Sequence, residues 1–200
     1  DGTMEKLYDI WARRNPQWEL RFKDPIIERF TNYKTGSGES AERRGKIFGG
    51  GYEIFILAFF LGLYANRKRP LPSDPTLKHD FGQPIEYWGN VGTKGRSTGR
   101  VDYGALRDYM FAALIAKTEI DFIALDKKEI SPRKAVDELI KTMEEYANYG
   151  FQLILDKTQT EPDFFLQDGA FFELFQAIRQ PESVSIAEQG GSEDLEPSPL

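Results

Sequence analysis

The groups in this 200-residue chain that could move protons or bind charge fall into two sets, paired carboxylates and clustered cations. Glu144/Glu145, Asp137/Glu138 and Asp121/Asp126 each place two carboxyl groups close in sequence, as a general acid and base would require. They sit on or beside stretches with the spacing of amphipathic helices, where carboxylates ordinarily form the wetted face, and that is the expectation here. Other chemistry has little to draw on. There is no Cys, which removes disulfides, thiolate metal sites and a cysteine nucleophile and fits a reducing cytoplasm. The single His79 follows Lys78 in a proline-bounded loop, too little for a triad or a metal constellation. No cofactor or metal is expected, and the expected role is non-enzymatic.

The cations are more distinctive. They form three clusters in the middle of the chain: Arg43, Arg44 and Lys46; Arg67, Lys68 and Arg69; Lys94, Arg96 and Arg100. Net charge is −6, but residues 34–100 carry 11 Lys/Arg against 6 Asp/Glu, and residues 101–200 carry 9 against 20. Such a chain could present its basic middle to phosphate, or use it to complement its own acidic half. Glycine-rich stretches flank the clusters. KTGSGES (34–40) lacks the Gly-Lys-Ser/Thr of a phosphate loop. GNVGTKGRSTGR (89–100) is a basic loop suited either to ordering on a nucleic-acid backbone or to a solvated excursion.

The elements that must position these groups begin with Tyr52–Tyr64, YEIFILAFFLGLY, a helix-length run without a polar face. A helix that is apolar all round belongs in the middle of a fold, and this one is shorter than the roughly 20 residues a membrane span needs. A chain without membrane attachment is expected. Gly45 and Gly49-Gly50-Gly51 precede the run and suit a sharp turn or a close backbone approach. Glu53, in its first turn, is suited to the helix dipole or to pairing with Arg43 or Arg44. Asp24-Pro25 predicts a capped short helix over 25–33. The segment 71–84 reads as loop, with Ile85–Trp88 extended. Leu106, Met110, Ala113 and Leu114 predict a helix over 103–117. Ser131-Pro132 predicts a capped start for a helix running at least to Asn148, where Gly150 either ends it or allows close packing. Residues 170–178 form a final helix.

The expected architecture is therefore mainly α: a single helical domain over 1–180 with its core in about 45–178, built around the buried apolar helix and carrying long Gly/Pro-rich loops. Residues 181–200, rich in Ser, Gly, Pro and acids, read as a disordered acidic tail.

A set of short motifs in order carries a family resemblance. Phe48, then Tyr52-Glu53-Ile54-Phe55, Leu61-Gly62-Leu63, Arg67-Lys68-Arg69-Pro70-Leu71, Gly82-Gln83-Pro84-Ile85 and Glu144-Glu145-Tyr146-Ala147-Asn148-Tyr149-Gly150 resemble the Dnd-system-associated proteins of bacterial DNA phosphorothioation clusters. The likeness spans roughly Gly45 to Leu155; Tyr149 and the basic loop at 89–100 depart from the usual pattern. The resemblance implies an accessory part in a phosphorothioation-linked defence system, with DNA or other proteins of the system as partners, and it supplies no catalytic residues. An assembly module without nucleic-acid contact is the alternative.

Overall fold

The computed structural model describes residues 2–31, 48–90 and 102–179. The protein is mainly α, and its helices pack around two that lie against each other: α2 (Gly51–Ala65) and α5 (Pro132–Thr160). Around them are α1 (Gly2–Ala12), α3 (Leu106–Lys117), the short α4 (Phe122–Asp126) and α6 (Ala170–Arg179). Two short strands, β1 (Trp18–Glu19) and β2 (Lys78–His79), pair antiparallel with Trp18 opposite His79 and Glu19 opposite Lys78.

Local chemistry accounts for α5. Ser131 caps it, its Oγ accepting from the Lys134 N–H at 3.2 Å, and Pro132 fills the first turn. Ala135, Val136, Leu139, Ile140, Met143, Tyr146, Ala147, Phe151 and Ile154 recur at three-to-four spacing and are buried. The helix passes through Gly150 and ends at Thr160, because Glu161 precedes Pro162 and a residue before proline is pushed out of the helical region. Gly150 thus serves close packing: a Cβ there would lie 2.7 Å from the Ala58 Cα and 2.5 Å from its carbonyl carbon. Gly62 makes the reciprocal contact, its notional Cβ 2.7 Å from the Tyr146 carbonyl carbon. The two backbones cross where each helix lacks a side chain.

In α2, Ile54, Phe55, Ala58, Phe59 and Leu61 are fully buried, as expected of an apolar helix. It stops because Asn66 takes the left-handed conformation (φ 50°, ψ 41°), letting the N–H groups of Asn66 and Arg67 bond back to the Leu63 and Gly62 carbonyls at 3.0 and 3.1 Å. One side is not sealed by core: Leu57, Phe60 and Leu63 are partly exposed and Tyr64 is 56% exposed.

The core extends toward the N-terminus beyond residue 45, taking in Leu7, Trp11, Trp18, Phe22, Ile26, Ile27 and Phe30. Three local expectations are corrected. Asp24 does not cap a helix; residues 20–30 wind through a 3₁₀ turn, a π-helical turn at Lys23–Ile27 and a single α-helical turn at Glu28–Phe30. Ile85–Tyr87 is a 3₁₀ turn and not extended, held where Trp88 Nε1 donates to the Gln83 carbonyl at 2.9 Å. Helix α3 begins at Leu106, three residues after Tyr103. Among the described residues no helix is long and apolar enough to cross a membrane.

Candidate functional site

Of the nine cations singled out by sequence, Arg67, Lys68 and Arg69 are described; Arg43, Arg44, Lys46, Lys94, Arg96 and Arg100 lie outside the described residues, as do the loop at 34–40 and the tail at 181–200. Arg67–Arg69 leave the C-terminal end of α2 and run along α5. The Arg69 N–H donates to the Glu145 carbonyl at 3.0 Å, and the Asn148 amide donates to the Arg69 and Pro70 carbonyls at 3.1 and 3.2 Å. The backbone of this basic turn is thereby fixed to the helix. Its side chains remain exposed, although Lys68 Nζ lies 4.0 Å from the Glu145 carboxylate and Arg69 donates to Gln152 Oε1 at 2.5 Å.

Beneath that turn is a polar knot. Asn148, 2% exposed, also donates to Glu19 Oε1 at 2.7 Å, tying α5 to β1. Arg21 pairs with the other Glu19 oxygen and shares Gln152 with Arg69. One turn earlier, Glu144 accepts from the Gln17 N–H at 3.2 Å. Burial raises the Glu144 carboxyl to about 7, against the opposing pull of the Gln17 hydrogen bond and of Lys78 and Arg14. This corrects the expectation of a solvated face for Glu144. Glu145, its side chain 14% exposed, departs from it as well, whereas Asp137, Glu138 and Asp126 are exposed, Asp137 pairing with Arg14 at 2.6 Å, and exposed Asp121 caps α4 through the Ala124 N–H at 2.8 Å. No group of three metal-ligating side chains occurs among the described residues. His79 is exposed in β2, its ring 5.7 Å from Trp18.

On the opposite side of α2 lies a cavity of about 620 Å³, within the range of small-molecule pockets. Glu53, Leu57, Phe60 and Tyr64 line it at the i, i+4, i+7, i+11 spacing of one helix side, and α6 supplies Phe172 and Phe175. At its inner end Glu53, 7% exposed, accepts from the Tyr103 hydroxyl at 2.7 Å and, through its other oxygen, from the Gly49 N–H at 2.8 Å. Burial first, and then the hydrogen bond to Glu53, raise the Tyr103 hydroxyl far above the ordinary phenol range, so it stays a donor. Sequence reasoning named Glu53 but missed Tyr103, fifty positions away with no local signal joining them. The cavity's spacing was present in the sequence, hidden because the other sides of α2 are equally apolar.

The chain matches no protein-family model, no curated protein and no solved structure.

Proposed function

We propose that this chain is a non-enzymatic accessory protein of a bacterial DNA phosphorothioation-linked defence system, meeting the DNA backbone through its basic residues. The motif resemblance supports the setting. The contact rests on one observation: three consecutive exposed cations, Arg67–Arg69, sit on a turn whose backbone is bonded to α5 at Glu145 and Asn148. Fixing the backbone lowers the ordering cost of binding and keeps the long basic side chains at the surface, where they could reach phosphate in exchange for their contacts with Glu145 and Gln152.

Binding of duplex DNA should weaken steeply with salt, as each phosphate contact contributes a slope of about 0.9 in log affinity against log salt. Changing Arg67, Lys68 and Arg69 together to Ala should flatten that slope by about 2–3. A fluorescence-anisotropy titration at several salt concentrations reads both. Affinity independent of salt, or equal in the folded variant, would refute the contact.

A second reading, an assembly module that binds other proteins of the system without touching DNA, is favoured by the approach of Lys68 to Glu145 and the Arg69–Gln152 hydrogen bond, which use these cations within the fold. Self-association or co-purification that survives the triple substitution would select it.

A further inference from the structure

We propose that Arg21 and Arg69 form a clamp for one phosphate group. The identity of that group as a phosphate of the DNA backbone rests on the function proposed above; the clamp itself rests on three observations. First, two guanidinium groups converge. Arg21 donates from Nη1 to Gln152 Oε1 at 2.8 Å, and Arg69 donates from its own Nη1 to the same oxygen at 2.5 Å. A neutral amide oxygen compensates neither charge, and Gln152 is only partly buried, so its amide can turn to water when an anion takes its place. Second, one buried residue sets both arms. Asn148, one turn before Gln152 on α5, donates to the Arg69 and Pro70 carbonyls and to Glu19 Oε1, and the other Glu19 oxygen takes the Arg21 Nε–H. The Arg21 guanidinium also lies over the Phe22 ring, 3.9 Å from its centroid. Arms held in this way lower the ordering cost of binding. Third, donors remain. A guanidinium carries five N–H groups; Arg21 uses them on Glu19 and Gln152, Arg69 on Gln152, and both side chains are exposed. One planar fork matches a carboxylate, whereas the tetrahedral oxygens of a phosphate can meet two forks at once. The carboxylates near the pair are Glu19, Glu145 beside Lys68, and Asp156, which accepts from the Gln152 amide at 2.7 Å.

Duplex DNA and inorganic phosphate distinguish the two sources of the group, each titrated against the whole chain, the first by fluorescence anisotropy at several salt concentrations and the second by phosphorus NMR. Gln152→Glu fills the clamp from within by placing a carboxylate between the guanidiniums; it should weaken DNA at least about tenfold and lower the salt slope by about 1. Gln152→Ala empties the clamp and should keep affinity within about threefold of wild type, while Asp156→Asn should tighten binding about two- to threefold. Arg21→Lys, which keeps the charge and loses the fork, should weaken DNA at least about threefold and serves should Gln152→Glu alter the circular dichroism of the fold. Equal losses in Gln152→Glu and Gln152→Ala would overturn the clamp. Wild-type affinity in Gln152→Glu and Arg21→Lys would also overturn it, and the DNA contact would stand if the triple substitution of Arg67, Lys68 and Arg69 still flattened the slope. If the wild-type chain shows no salt-dependent DNA binding, the DNA reading fails by itself. The clamp then stands as a free-phosphate site if inorganic phosphate at about 10 mM, of order ten times a weak ~1 mM Kd, binds wild type and not Gln152→Glu, and is overturned if it does not.

Discussion

Replacing Gly150 or Gly62 with Ala isolates the contact on which the α2–α5 pair depends. In a helix interior the exchange should help by about 0.8–1 kcal/mol, since Ala is the better helix former. Here the added methyl meets backbone. At residue 150 it would lie 2.5 Å from the Ala58 carbonyl carbon; at 62, 2.7 Å from that of Tyr146. Ordinary contact begins near 3.4 Å, so the axes must part by roughly 1 Å, and a gap of that size forfeits a quarter to a half of each dispersion contact along the seam. Overpacking of this kind costs about 1–3 kcal/mol, and more where the neighbour is backbone and has no rotamer to change. We expect a net loss of about 1–2 kcal/mol for either substitution after the propensity gain, and a melting temperature lower by about 2–8 °C for a chain of this length. Urea unfolding followed by far-ultraviolet circular dichroism and by tryptophan fluorescence measures it. The double variant should lose less than the sum of the singles, because one separation relieves both clashes. Gly2→Ala, where a Cβ meets nothing within 4 Å, is the neutral control. A rise in stability for Gly150→Ala or Gly62→Ala would refute the close crossing.

Glu144 makes stability pH-dependent in an unusual direction. Its folded carboxyl is raised to about 7 from the ordinary 4.5, so its contribution is complete below pH 4.5 and is lost as pH rises through 7, by up to about 3 kcal/mol. Glu144→Gln, which still accepts from Gln17, should flatten the denaturant midpoint between pH 5 and pH 8 and be the more stable protein at pH 8; a slope the same as wild type would contradict the burial argument. Asn148→Ala should cost about 2–3 kcal/mol by removing the donor to Glu19 Oε1 and to the Arg69 and Pro70 carbonyls, and Asn148→Asp should cost more by facing Glu19 with a like charge; midpoints within 0.5 kcal/mol of wild type, an ordinary surface effect, would count against the knot. Ser131→Ala removes the cap of α5 and should cost about 1 kcal/mol, read from the same unfolding curves, whereas Ser131→Asp should restore it.

What could be read from the chain depended on how far apart the interacting residues lie. Ser131-Pro132 announced the start of α5 because cap and proline act on their immediate neighbours. The apolar stripe placed α3, α5 and α6 for the same reason. Gly150 left two outcomes open, and the one realised was decided by Ala58 on another helix. Asp24-Pro25 carries a sound local signal that is overridden: Ile26, Ile27 and Phe30 are drawn into the core together, and the segment adopts mixed turns in place of a capped helix. The raised Glu144 follows from tertiary burial, which outweighs the hydrogen bond from Gln17, at a residue whose helix position alone suggests the edge of the wet face. The Glu53–Tyr103 bond has no sequence counterpart, and with it the charged end of the cavity was out of reach.

The apolar helix ties these features together. A helix without a polar face must be covered on every side, since each exposed Leu or Phe forgoes about 1.5–3 kcal/mol of burial. On the Ala58/Gly62 side α2 is covered as closely as two backbones allow. On the Glu53/Leu57/Phe60/Tyr64 side the neighbours stand back and leave about 620 Å³. Were that side merely poorly packed, exchange of Leu57 or Phe60 for larger or smaller apolar residues would change stability smoothly with volume. An open cavity makes a different demand: Phe60→Leu should leave the unfolding midpoint within about 1 kcal/mol of wild type, because the ring borders open space. Stability that falls by the 2 kcal/mol or more typical of large core deletions would show Phe60 packed as core and refute the open space beside it.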